Sequence, residues 1–164
     1  MGLGLAVLRA IVGLLFVGHG VQKLFGWFGG GGPEGTGRFF ESVGVRPGKQ
    51  NAVASGISET AGGALLALGL ATPLASAALS GTMATALWTV HKDKGPWATA
   101  GGYEYNLTLL AIFFALADVG PGKWSLDEKL GLDRSGPGWA LAQLAAAVAG
   151  TAAVLKRAES QPGA

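Results

Sequence analysis

The chain has 164 residues, 49% of them hydrophobic and only 13% charged, with a formal net charge of +2 and a mean hydropathy of +0.40. An average soluble domain carries about 25% charged residues, so this balance excludes a disordered chain, and so small a net charge excludes an electrostatic nucleic-acid binder. Cysteine is absent and the 29 glycines follow no G-X-Y period, which removes disulfides, thiolate metal sites, Cys-held iron–sulfur clusters and collagen.

The apolar residues gather into stretches that almost lack charge: Leu3–Phe25, 52–71, 73–90, 103–119 and 138–155. Each is about 17 to 23 residues long, the length of a helix that crosses a ~30 Å hydrocarbon layer. The first has no basic leader and no small-x-small cleavage site, and Arg9 interrupts it; it is read as a retained helix, not a secretory signal. Its Gly4, Gly13, Gly18 and Gly20 permit close helix approach in a bilayer, as do Gly62, Gly63 and Gly69 in the second stretch. Between these two, glycines 29–32 and Pro33 predict a flexible hinge. A short interfacial helix over 36–45 follows, with Phe39, Phe40 and Val43 at helical spacing. Thr72-Pro73 predicts a tight turn, making the second and third stretches an antiparallel hairpin. The connection 91–102 is polar, and Ser125-Leu126-Asp127-Glu128 predicts a capping box on a short surface helix. Trp27, Trp88, Trp97, Trp124 and Trp139 all fall near span ends, where an aromatic belt places them. A soluble bundle would need polar outer faces, which 61–71 and 141–155 lack. The predicted fold is therefore all-α: an integral membrane helical bundle, multi-pass in the cytoplasmic membrane. Lys23, Arg38, Arg46, Lys49, Lys92, Lys94, Lys156 and Arg157 oppose only Lys123, Lys129 and Arg134. The first loop, the third loop and residue 164 are thus predicted on the cytoplasmic side, if 138–155 spans.

The same side of the bundle collects the chemistry. His19 and Lys23 are i,i+4 neighbours, with Arg9 within about 80° on the wheel. Glu59 is predicted at a depth similar to that of His19, roughly 9 Å, and His91, Glu104 and Asn106 stand at neighbouring span ends. A charge at mid-helix costs ~2.5–3.5 kcal/mol on insertion scales, so such groups pair or line a cavity. Glu59 is expected to pair with Lys23 or His19. The sharper expectation couples His19 to Glu59 as the floor of a polar pocket closed by Lys23, His91 and Glu104. The plainer alternative has these groups locking helices together, with Lys23 snorkelling to the headgroups. Gly30-x-Gly32-x-x-Gly35 matches a dinucleotide fingerprint by letters but follows a membrane helix and contains Pro33. No compact metal motif is present, and no metal is expected.

The run His19-Gly20-Val21-Gln22-Lys23-Leu24-Phe25-Gly26-Trp27-Phe28-Gly29-Gly30 resembles the signature of DoxX-family membrane proteins. So do Ile57-Ser58-Glu59-Thr60-Ala61-Gly62-Gly63, Leu68-Gly69-Leu70-Ala71-Thr72-Pro73, Met83-Ala84, His91, Gly102-Tyr103-Glu104-Tyr105-Asn106 and Gly120-Pro121-Gly122-Lys123-Trp124-Ser125-Leu126-Asp127. The resemblance implies a four-helix domain over 1–133; the chain departs from that plan after Asp133, where 134–164 read as an added span and short polar tail. It also implies the polar residues His19, Gln22, Lys23, Glu59, His91, Glu104 and Asn106. Of these, His19, Gln22, Glu59 and Asn106 would bind a cofactor. Related proteins named DoxD and DoxX are associated with thiosulfate:quinone oxidoreductase and with membrane complexes handling oxidative stress. One function implied is a quinone-interacting subunit of a redox complex, with no intrinsic cofactor, electrons arriving from an oxidoreductase partner, and homo-oligomerisation open. The other is a non-enzymatic membrane scaffold or small-molecule carrier. Whether the chain is an enzyme stays open between them.

Overall fold

A computed structural model of the chain describes residues 2–132 and 134–161. The orientation expected for residue 164 and the domain boundary expected at Asp133 lie outside these residues. Among the described residues there are seven α-helices and no strand: α1 Leu3–Phe25, α2 Gly32–Ser42, α3 Gly48–Leu68, α4 Thr72–Ala86, α5 Glu104–Val119, α6 Leu126–Lys129 and α7 Pro137–Glu159. The protein is an all-α helical membrane bundle. Its surface carries large apolar side chains along the long helices, among them Leu3, Ile11, Leu14, Ile57, Leu141 and Val148. Such a surface suits hydrocarbon, not water. All five tryptophans are exposed.

Glycine lets α1 and α3 touch along their backbones. A Cβ on Gly13 would stand 2.5 Å from the Gly63 carbonyl oxygen, and one on Gly63 equally close to that of Gly13. One turn pair further, Gly20 lies against Thr60 and the Gly56 carbonyl. The pairings 13 with 63 and 20 with 56 run in opposite senses, so the two helices are antiparallel. Close approach of this kind replaces the missing hydrophobic drive between helices in lipid. A core of Val12, Phe16, Leu66, Leu79, Leu109 and Phe113 joins α1, α3, α4 and α5. Phe16 and Phe113 meet edge-to-face with centroids 5.5 Å apart.

The added helix α7 is a genuine part of the bundle. Its buried face reads Ala140, Gln143, Ala147, Thr151 and Ala158. Ser80 Oγ donates to Gln143 Oε1 at 3.0 Å, and the Thr85 and Thr151 hydroxyls lie 3.2 Å apart. Both partners rise in number together, so α7 runs parallel to α4. Small residues and buried hydroxyls hold the pair, the membrane mode of association.

Local differences from the sequence expectation have local causes. The glycine hinge is short, because Gly32-Pro33 already forms the first turn of α2, where proline's missing N–H costs nothing. Ser125 caps α6 as expected, accepting from Glu128 N at 3.2 Å. Helix α4 continues through a π-helical turn, Leu87–His91. By length and composition, α1 and α7 suffice to cross a membrane. Helix α5 has 16 residues, about 24 Å at 1.5 Å per residue, and α3 carries an inward polar face.

Candidate functional site

Helix α1 ends at Phe25, and its last turn presents Lys23 toward α3. Lys23 Nζ lies 2.5 Å from Glu59 Oε2, and Ser55 Oγ stands 3.5 Å from Glu59 Oε1. Glu59 is only 3% exposed; an isolated carboxylate at that burial would be costly, and the ammonium with its hydrogen bond offsets the cost. The pair opens onto a cavity of about 690 Å³ floored by α4, within the usual size range of small-molecule sites. Helix α2 covers it with Phe39 and Phe40, joined by Val43 just past its end, while Ala146, Ala147, Gly150 and Val154 of α7 form the far wall. Helices α3 and α7 both lie on α4 without extensive contact with each other, which leaves a slot between them. Its rims, Ala54 on one side and Ala146 and Gly150 on the other, are exposed. The slot therefore opens sideways, between the exposed faces of α3 and α7.

His91 closes the π-helical turn and lines the cavity. Its Nδ1 lies 2.6 Å from the Gly101 carbonyl oxygen. A carbonyl only accepts, so Nδ1 donates to it, and Nε2 is the ring nitrogen left for other partners. Turns of this π type recur at functional sites. Lys23, Glu59 and His91 are the ionisable lining residues, and Asn51 with the hydroxyls of Ser55, Ser58, Thr82, Thr85 and Thr89 adds weaker polarity to an otherwise apolar enclosure.

The other expected residues stand elsewhere. His19 is not brought to Glu59: it is exposed, and its Nδ1 donates to Gln22 Oε1 at 3.1 Å. The Gly20 contact with Thr60 closes the seam beside it, leaving no room for an imidazole between the helices. Gln22 in turn donates from Nε2 to the Phe28 carbonyl at 3.3 Å, so both side chains brace the turn after α1, in which Phe28 adopts a left-handed conformation at φ 51°. Glu104 folds back over its own loop and accepts from Ala98 N at 2.8 Å. Asn106 is buried and donates to the Met83 carbonyl at 3.3 Å; it supports a wall residue from behind. Of the expected pocket residues, Lys23, Glu59 and His91 line this cavity and His19 and Glu104 do not; Gln22 and Asn106, expected at a cofactor, do not line it either.

One further tie lies outside the cavity. Lys49 and Glu34 pair at 2.6 Å on the surface between α2 and α3. The Lys49 ammonium holds the Glu34 carboxyl below its ordinary range. The tie is thus complete at neutral pH and is lost on acidification through that lowered value.

Sequence reasoning missed a second polar cluster at the opposite end of the bundle. Asp127, 1% exposed, accepts from Ala71 N at 2.8 Å, Thr72 N at 3.0 Å and Thr72 Oγ1 at 2.9 Å. It is a helix cap for α4 supplied from another helix, and a carboxylate at that terminus is favoured by the helix dipole. Arg9, also 1% exposed, donates from Nη2 to the Trp124 carbonyl at 2.8 Å and lies in the field of Asp127. Gly69, at φ 63°, must be glycine, since a Cβ there would run into the Arg9 guanidinium. A charge in the first span with no partner within its own half was the signal available.

The DoxX family model matches residues 4–92. The chain is 36% identical over 114 residues to the Bacillus subtilis protein named "Putative oxidoreductase CatD", covering 70% of this chain and 78% of that protein. It is 32% identical over 135 residues to an uncharacterised membrane protein of Mycobacterium tuberculosis, covering 75% of this chain and 78% of the relative. No solved structure matches at a significant level.

Proposed function

The chain is a member of the DoxX family, and on that footing we propose that it is a multi-pass membrane subunit of a redox complex whose lateral cavity holds a quinone. The observation that carries this reading is the ion pair of Lys23 and Glu59 at the edge of a largely apolar cavity that opens sideways between helices. A quinone is an apolar ring with two carbonyl oxygens, and it needs few but well-placed donors in an otherwise greasy site. Lys23 has N–H groups beyond the one used on Glu59 and would donate to one carbonyl. His91 Nε2 and the Glu59 carboxylate would serve as acceptors for the hydroxyls of the reduced ring. The quinone would supply the acceptance of two electrons and two protons. The chain's own residues bind and orient the ring, shield it from water and pass protons. Electrons would come from a partner subunit, a role in keeping with the oxidoreductase name borne by the Bacillus subtilis relative.

Native mass spectrometry of the detergent-solubilised protein tests the reading. Wild type should carry or take up a quinone and release it in Glu59→Ala, with helical content unchanged. A wild type that neither carries nor takes up quinone would end the reading, and a resident phospholipid in its place would favour a carrier.

A further inference from the structure

The cavity is open because small residues line it. Ala77, Ala78 and Gly81 on α4 and Ala146, Ala147 and Gly150 on α7 leave between them the space that larger side chains would fill. Gly150 is unlike the seam glycines. A Cβ on Gly13 or Gly63 would strike backbone, whereas one on Gly150 meets nothing within 4 Å. It sits inside regular helix, so no turn requires a glycine there. Glycine weakens a helix interior relative to alanine, and here no close approach repays that weakness. What the position does provide is width at the rim of the slot between α3 and α7.

We propose that Gly150 is a tail gate: it keeps the slot wide enough for the hydrocarbon tail of a ligand whose ring lies at Lys23 and Glu59, so that α7 makes the site selective for tailed over tail-less ligands. The proposal rests on the quinone reading for the ring site and adds the specificity determinant. The lining supports this polarity of binding. Lys23, Glu59 and Ser55 stand on the α1 and α3 side, while the α7 wall offers only Ala146, Ala147, Gly150 and Val154. An amphiphile therefore lies across the cavity with its ring toward α3 and its tail toward the α7 rim. That rim is fixed in place, because Gln143 and Thr151 bind α7 to Ser80 and Thr85 of α4 on the adjoining face.

Equilibrium binding by the full-length detergent-solubilised chain tests the gate. The two probes are a dimethoxy-methyl-benzoquinone without a tail and its decyl-tailed counterpart. Gly150→Leu should weaken the decyl quinone on the order of tenfold and leave the tail-less ring unchanged, with Gly150→Ala between. Gly138→Leu is the control: it lies on the same helix, a Cβ there also meets nothing within 4 Å, and it is not part of the lining. It should change neither probe. Equal weakening of both probes by Gly150→Leu, or no weakening of either, would overturn the gate while the quinone reading stands. Failure of wild type to bind either probe would overturn the quinone reading itself. A Gly150→Leu chain that does not fold would contradict the open space on which the gate depends.

Discussion

Lys23 meets Glu59 because helical side chains lean toward the N-terminus of their own helix. In antiparallel α1 and α3 the two therefore lean toward each other, and the long lysine stem closes the rest of the gap. Removing either partner leaves the other under-solvated. Lys23→Ala and Glu59→Ala should each destabilise the bundle, and the double mutant should cost less than the sum, with a coupling on the order of 1–3 kcal/mol in denaturant titrations. Lys23 keeps 20% side-chain exposure, which places the coupling toward the lower end. Glu59→Gln should cost less than Glu59→Ala, since the amide still accepts a hydrogen bond. His19→Ala should stay within about 0.5 kcal/mol, as an exposed side chain; additivity of Lys23 and Glu59 together with coupling of His19 to Glu59 would reverse this assignment. That Glu59 needs a cationic partner was legible in the sequence. Which of two helical neighbours supplies it was not, because 40° of azimuth at ~100° per residue separates the two, and only the closed seam at Gly20 decides between them.

The glycine seam sets the spacing of α1 and α3 and thereby the reach of Lys23. Gly63→Leu should abolish the close approach and cost at least ~3 kcal/mol, as overpacking against backbone does. Gly18→Leu should be tolerated, since a Cβ there meets nothing within 4 Å. Thermal melts of the two variants in one detergent check the contrast; equal losses would mean the seam does not exist. Helix positions were legible from the distribution of charge, and Leu3–Phe25 coincides with α1 to the residue. The seam was partly so: positions 13 and 20, and 56 and 63, share a spacing of seven, but Gly4 and Gly18 look the same in a sequence and face open space. The α4 cap was out of reach. Asp127 reads locally as the second residue of a short helix, and nothing in its neighbours announces that it serves a terminus 55 residues away.

At the scale of the whole molecule, membrane residence rests on membership of the DoxX family and likeness to a relative named as a membrane protein, and the apolar surface agrees with it. Carbonate extraction at high pH should leave the protein in the pellet; its appearance in the supernatant would contradict a membrane bundle. The number of crossings has its own test. The antiparallel α1 and α3 and the parallel α4 and α7 fit five crossings, with the polar faces of α3 and α4 turned inward. Single cysteines at Ser42 and Ala98 should resist an impermeant maleimide in intact cells if the first and third loops are cytoplasmic. Labelling of both would reverse the orientation, and labelling of one alone would break the count. Helix α3 is less apolar than α1 and α7 in part because Ser55, Ser58 and Glu59, which make the cavity polar, lie on it.

The sideways opening between α3 and α7 changes what concentration means for this protein. On the quinone proposal a compound would enter there from the bilayer, and its occupancy would follow its mole fraction among lipids and not its level in water. Partitioning concentrates a greasy compound before any protein contact is made, and confinement to a thin layer supplies the proximity that a soluble site must build from affinity. A modest intrinsic affinity then suffices for high occupancy. It also keeps exchange fast, because a weakly held molecule leaves quickly into the lipid from which it came.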